Sequence, residues 1–107
     1  MIVEYIRYKI PRERQREFEE AYSNASQSLN ASKHCQMYEL THCTEEELEL
    51  YILRIEWDSL DGHMKGFRNS TEFGEFFRHV KPFYNNIQEM RHYELTKVMR
   101  RKDSSVS

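Results

Sequence analysis

Residues that build loops and linkers are scarce in this chain. Its 107 residues include three glycines, Gly62, Gly66 and Gly74, and two prolines, Pro11 and Pro82. There is no glycine-rich loop to cradle a phosphate and no strand-to-helix elbow to raise a nucleophilic serine, so nucleotide-dependent and ordinary hydrolytic chemistry are poor first readings. Nothing marks a linker, and the length fits one domain. Two cysteines, Cys35 and Cys43, are too few for a disulfide framework and are expected to be buried thiols in a reducing compartment. Neither sign of charge prevails: 16 basic against 18 acidic residues leave −2, which argues against nucleic acid and against a membrane surface as partners. No window approaches the roughly 20 apolar residues of a membrane span, and the first apolar run, MIVEYIRYKI, carries charges that do not suit a targeting segment. A cytoplasmic location is the expectation.

Aromatic residues, by contrast, make up 13% of the chain, and the clearest local pattern is LELYILRIEW, Leu48 to Trp57. Apolar side chains at Tyr51, Leu53, Ile55 and Trp57 alternate as in a strand covered on one face. Asp58 and Ser59 then offer side-chain oxygens to the free N–H groups of a helix starting near Leu60. Trp57 is therefore predicted at a strand-to-helix corner, with His63 one or two turns into the helix and close enough to share a pocket with the indole.

The rest of the chain supplies partners for that strand. Ile2, Ile6, Tyr8 and Ile10 share one face of a first strand, and Pro11 suits the opening turn of an amphipathic helix carrying Phe18, Tyr22, Ala25 and Leu29. CQMYELTH, Cys35 to His42, reads as a second strand joined to the third through the acidic turn at Thr44–Glu47. Leu60, Met64 and Phe67 are predicted to face inward from the helix after Trp57. A further helix capped by Thr71 carries Phe73, Phe76, Phe77 and Val80, and Ile87 to Val98 forms the last strand. The order strand, helix, strand, strand, helix in two pieces, strand is that of a ferredoxin-like split βαβ, an α+β fold with a four-stranded antiparallel sheet and helices on one face. The domain spans 1–98, followed by a polar tail over 99–107 that is expected to be weakly held. Tyr5, Tyr38, Leu40, Tyr93 and Leu95 would leave the other face too apolar for water, so a second copy of the chain is expected to cover it as a homodimer.

Four groups of residues could carry chemistry, each with a plainer reading beside it. Trp57 and His63 combine a flat wall, an N–H donor and an imidazole that titrates near neutrality; otherwise they are a core plug and a helix-surface residue. Tyr5, Tyr51 and Tyr93 could line a pocket for a flat aromatic ligand, with Phe77 as an apolar contact, although tyrosine is also simply a good strand former. Arg7 and Arg54 could hold a carboxylate or phenolate, or could pair with Glu4, Glu39 or Glu56 across the sheet. His34-Cys35 and His42-Cys43 repeat a possible zinc-ligand pair, but neighbours on a strand point to opposite faces and no metal is expected.

The stretch ILRIEWDSLDGHMKGFRNSTEFGEFFRHVKPF, with Trp57, His63, Ser70 and Phe73 at these spacings, resembles the antibiotic biosynthesis monooxygenase (ABM) family over about residues 1–98. The resemblance implies a dimeric α+β barrel and, in one branch, cofactor-free oxygenation of phenols, quinols or polycyclic aromatics with dioxygen as co-substrate. In that setting Trp57 would be the wall, His63 the base or hydrogen-bond donor, and Tyr5 or Tyr51 an anchor for the substrate oxygen. A second branch degrades heme; here the first strand lacks its Asn, Phe67 stands where a second Trp is expected, and His79 alone is left as a shifted ligand. A non-catalytic ligand-binding or interaction dimer of the same fold is the alternative from another class. A similar subgroup occurs beside truncated globins, which suggests such a globin as a partner.

Overall fold

A computed structural model describes residues 1–102 of the chain. Strand β1 (Ile2–Lys9) runs into helix α1 (Gln15–Ala31), β2 (Cys35–His42) and β3 (Leu50–Trp57) form a hairpin, and helix α2 (Thr71–Val80) leads to β4 (Ile87–Glu94). The sheet order is β2-β3-β1-β4, with every neighbouring pair antiparallel. With the helices packed on one face, this is the ferredoxin-like α+β arrangement anticipated from the order of elements.

Register decides which side chains meet. Ile6 lies opposite Leu53, Tyr8 opposite Tyr51, and Glu4 opposite both Ile55 and His92, so all of these point to the helix side. There Phe18, Tyr22, Ala25 and Leu29 of α1, Phe76 and Val80 of α2, and Phe83 close the core. Fully burying such a side chain is worth roughly 1.5–3 kcal/mol, and Trp57, Phe18 and Phe83 are each at most 1% exposed. The opposite face carries Tyr5, Ile52, Arg54 and Tyr93, all partly exposed. Tyr38 and Leu40 do not join them: they pair with Ile55 and Leu53 and pack against the core.

The chain after Trp57 departs most from a regular helix. Residues Gly62–Gly66 form a π-helical turn in which the Phe67 N–H reaches back to the Gly62 carbonyl, followed by a 3₁₀ turn at Phe67–Asn69. The wider turn rotates the segment, so Leu60 and Met64, predicted to face inward, are 47% and 42% exposed, while His63 and Phe67 are buried. The cap of α2 is Ser70 rather than Thr71: its hydroxyl accepts from the Phe73 N–H at 3.3 Å. Strand β4 stops at Glu94 instead of Val98: Glu94 lies opposite Ile2, the first residue of β1, and the Leu95 N–H donates to the Met1 carbonyl just past that pair. Of the expected tail, 103–107 lie outside the described residues. Arg101 is held to the buried Glu56 carboxylate at 3.1 Å. Among the described residues no helix is long and apolar enough to cross a membrane.

Candidate functional site

The alternation of β1 places a carboxylate, Glu4, on its apolar face between Ile2 and Ile6, and Glu4 is 2% exposed. A buried carboxylate needs partners. The Trp57 indole N–H donates to its Oε1 at 3.0 Å, and His63 Nε2 stands 3.5 Å from the same oxygen. His63 Nδ1 in turn lies 2.7 Å from His92 Nε2, so one imidazole donates to the other. Trp57 and His63 stack with ring centroids 4.2 Å apart and planes 12° from parallel. Three strands and the π-helical turn thus converge on one corner.

Two close backbone approaches hold that turn in place. A Cβ on Gly66 would lie 2.4 Å from His34 Nε2, and one on Gly62 would lie 1.9 Å from Asp58 Oδ1. Only glycine lets the turn sit against the His34–Asp58 pair, whose ring nitrogen and carboxylate are 2.9 Å apart.

Burial sets the protonation states. Desolvation pushes Glu4 up to about 6, against the opposing pull of the Trp57 hydrogen bond and the Arg68 charge. Desolvation, then the positive charges of His92 and Arg68, pushes His63 down to about 3. His92 is lowered by burial and by Arg68. Near neutral pH both imidazoles are therefore uncharged, and Glu4 is the member of the cluster whose pKa is raised toward neutrality.

Over this floor lies a cavity of about 90 Å³. Its walls include Trp57, Phe67, Phe73, Phe76 and Phe77, with Tyr84 and Met90 standing partly exposed at its rim. Tyr8 and Tyr22 close the inner end, their hydroxyls hydrogen-bonded to each other. Burial pushes Tyr8 up to about 12 and holds Tyr22 well above the usual phenol range, so neither ionises in ordinary conditions.

The structure brings together Trp57, His63 and Phe77, but it separates them from the other expected ligand contacts. Tyr5, Tyr93 and Arg54 occupy the opposite face of the sheet, because their positions on β1, β4 and β3 are one out of phase with Glu4, His92 and Trp57. Tyr5 and Tyr93 pack edge to face at 5.4 Å, and Arg54 donates to Tyr5 Oη at 3.2 Å and to Glu56 at 2.6 Å. Arg7 takes the paired use as well, 3.4 Å from Glu89. Tyr51 shares the helix side but stands six residues from Trp57, roughly 20 Å along the strand, and donates to Glu19. It lines a separate groove with Tyr38, Leu40 and His42.

Among the described residues, Glu4, His63 and His92 are the set that could hold a metal, with one ligand atom each inside 4.8 Å of the others. Two imidazoles and a carboxylate suit a divalent transition ion. Here, however, they satisfy one another and the indole, and the positive charge of Arg68 acts on all three. The two His-Cys dipeptides stand at opposite ends of β2, about 23 Å apart by strand rise, too far to share an ion. His79 faces α1 beside Glu17, Glu20 and Asn24 instead of the cavity, so it is out of place to ligate a heme there.

Residues 1–79 match the family model for antibiotic biosynthesis monooxygenase. The chain belongs to the ABM family. A Bacillus subtilis (strain 168) relative, the uncharacterised protein YczJ, is 31% identical over 80 residues, covering 75% of this chain and 83% of that protein. Among solved structures, a Bordetella bronchiseptica protein assigned to the ABM monooxygenases superposes with a TM-score of 0.73 at 23% identity, covering 89% of this chain and 96% of that one. A Deinococcus radiodurans protein with the same assignment gives 0.72 at 13% identity, covering 96% and 100%. At these identities the structural likeness is one of fold.

Proposed function

We propose that this ABM chain is a cofactor-independent monooxygenase of a small quinol or phenol bound in the cavity beside Trp57 and His63. One observation carries the reading: a ring-lined apolar cavity ends on a buried cluster of acid–base groups, Glu4, His63 and His92. An aromatic ring fits its walls, and its hydroxyl would meet the groups able to take a proton. Size narrows the substrate. A dry protein cavity of about 150 Å³ takes a benzene ring, so about 90 Å³ suits a single ring reaching out between Tyr84 and Met90, and a polycyclic substrate would require that rim to open.

The chemistry balances without an added reductant. The quinol loses a hydroxyl proton to the Glu4–His63 floor, and the quinolate passes one electron to dioxygen. The semiquinone and superoxide join through a new C–O bond. The resulting hydroperoxide takes back the proton, loses its ring C–H proton and breaks its O–O bond, so that quinol plus dioxygen gives a hydroxyquinone plus water. The chain's own contribution is orientation against Trp57 and Phe77, exclusion of water, and proton transfer at Glu4 and His63. His63 would act as a neutral relay.

We propose, further, that the sheet face carrying Tyr5, Ile52, Arg54 and Tyr93 packs against a second copy. This gives those residues a structural role in a homodimer.

The test is oxygen uptake and product formation with a panel of single-ring quinols. Wild-type protein is expected to exceed the no-protein rate under air and not under nitrogen, and Glu4→Gln and Trp57→Phe are expected to lose the excess while retaining the fold. Uptake no faster than autoxidation across the panel would sink the enzymatic reading; ring binding without turnover would instead leave a ligand-binding domain of the same fold.

A further inference from the structure

One charged group on the cavity wall has no use in the reading above. Arg68 lines the cavity on the 3₁₀ turn directly after the π-helical segment. Its guanidinium carbon sits 5.3 Å from the centroid of the Phe73 ring, which holds the planar group against the wall. Among the described residues it makes no side-chain hydrogen bond and no ion pair. The arginines on the far face differ: Arg54 and Arg101 both bind Glu56, and Arg7 binds Glu89. Arg68 is thus a cation placed on an aromatic wall with its donors left open. Glu4, a buried carboxylate within its field, accepts from the Trp57 indole instead.

We infer that Arg68 is the specificity determinant of the cavity and selects an anionic single-ring aromatic, its oxyanion a ring carboxylate or a phenolate. This deepens the proposed function, on whose cavity it rests. The geometry divides the work: the phenylalanines and Trp57 hold a ring, Glu4 and the imidazoles form the floor, and Arg68 supplies the fixed positive charge that an aryl oxyanion needs in an apolar surround. A guanidinium donates two parallel N–H bonds to a carboxylate and to a phenolate oxygen at least one. A neutral ring of the same shape leaves those donors unused, and a site built to hydrogen-bond discriminates strongly against a ligand lacking the group. For a quinol substrate the same contact favours the quinolate, the form that gives its electron to dioxygen.

Trp57, the single tryptophan of the chain, stands in the cavity wall and reports binding by fluorescence, with calorimetry as the second readout. The probes are para-hydroxybenzoate against para-hydroxybenzamide for the carboxylate, and para-cyanophenol above its own pKa against para-cyanoanisole for the phenolate. Wild-type protein is expected to prefer at least one anion over its neutral partner by on the order of tenfold or more, as one charge-assisted contact commands. Which pair shows the preference identifies the oxyanion. Arg68→Gln is expected to erase the preference while leaving the neutral ring's affinity and the thermal transition in place, and Arg68→Lys is expected to restore part of it. Equal affinity for anion and neutral partner in wild-type protein, or a preference that survives in Arg68→Gln, overturns the inference while leaving the cavity and the oxygenase reading intact. Failure of every ring, charged or neutral, to bind overturns both. The binding readouts need no turnover, so a catalytically silent protein still decides the question.

Discussion

Trp57 and His63 lie ring on ring, 4.2 Å apart, and the same His63 reaches Glu4 with one nitrogen and His92 with the other. The stack and the hydrogen bonds are separable by substitution. His63→Phe keeps a flat ring against the indole and removes both nitrogens; it is expected to stay folded, with a stability change within about 1–2 kcal/mol, and to lose oxygen uptake. His63→Ala removes the ring as well and is expected to lose roughly 1–3 kcal/mol by urea unfolding. Turnover retained in His63→Phe at the wild-type rate would remove His63 from the proton path.

Glu4 links the site to stability. Its folded pKa of about 6 lies above the 4.5 of an ordinary glutamate, so the folded state binds its proton more tightly than the unfolded chain. The resulting stabilisation is complete below the unfolded value and is lost as pH rises through the folded one. Above pH 6 the buried charge costs about 2 kcal/mol by linkage. Glu4→Gln keeps an acceptor for the Trp57 indole and removes that charge. It is expected to unfold at higher urea than wild-type protein at pH 7.5, by roughly 1–2 kcal/mol, and to match it near pH 4.5. A gain of equal size at both pH values would mean that Glu4 titrates normally. His63 carries the opposite slope, since its lowered pKa favours the folded state above about 6.5 and is felt as loss when pH falls; its Nε2 lies 3.5 Å from Glu4, so the comparison reads Glu4 together with its coupling to His63.

At Gly66 two effects compete, and their sizes decide the outcome. Replacing glycine by alanine in a helical segment gains up to about 1 kcal/mol, whereas forcing a methyl into filled space costs typically 1–3 kcal/mol. The new Cβ would meet the His34 ring at 2.4 Å, so His34 must leave Asp58 or the turn must move. Gly66→Ala is expected to be destabilised by about 1–2 kcal/mol, with altered Trp57 emission because His63 moves with the turn. Gly74 is the matched control: among the described residues nothing lies within 4 Å of a Cβ there, and Gly74→Ala in α2 is expected to be neutral or stabilising.

Much of the site was legible in period-2 alternation. It put Trp57 at the end of a strand, the helix start after Asp58 and Ser59 put His63 within reach, and the order of elements pointed to the ferredoxin-like class. Glu4 was readable on the same terms, since it falls between Ile2 and Ile6 on the covered face, where a carboxylate calls for a partner. His92 is its neighbour by register, one residue out of phase with Tyr93, and strand pairing across 88 residues of chain is not written in either segment alone. The inward turn of His63 was hidden for another reason. Leu60, Met64 and Phe67 fit a regular helix well, and it is the π-helical turn, permitted by Gly62 and Gly66 against His34 and Asp58, that exposes the first two and buries His63. Arg68 follows from the same rotation, which carries it to the cavity wall.

The open face of the sheet gives the last prediction. Tyr5 is 37% exposed, Ile52 39% and Tyr93 49%, and they lie on three adjacent strands with Arg7 and Arg91 beside Glu89. Contiguous apolar surface of this kind on a sheet is expected to be covered. A two-fold pairing would set the Tyr5–Tyr93 pair and Ile52 of one copy on those of the other, away from either cavity, so dimerisation and ring binding should respond to different substitutions. Light scattering is expected to give a dimer mass for wild-type protein at micromolar concentration. Ile52→Glu places a charge in the centre of that face with no effect on the core and is expected to give a monomer, together with a thermal midpoint that no longer depends on protein concentration. Arg68→Gln, on the cavity wall, is expected to leave the mass unchanged. A monomeric wild-type protein would overturn the covered-face reading, and a dimer unaffected by Ile52→Glu would move the interface elsewhere, to the exposed edge of β2 or β4.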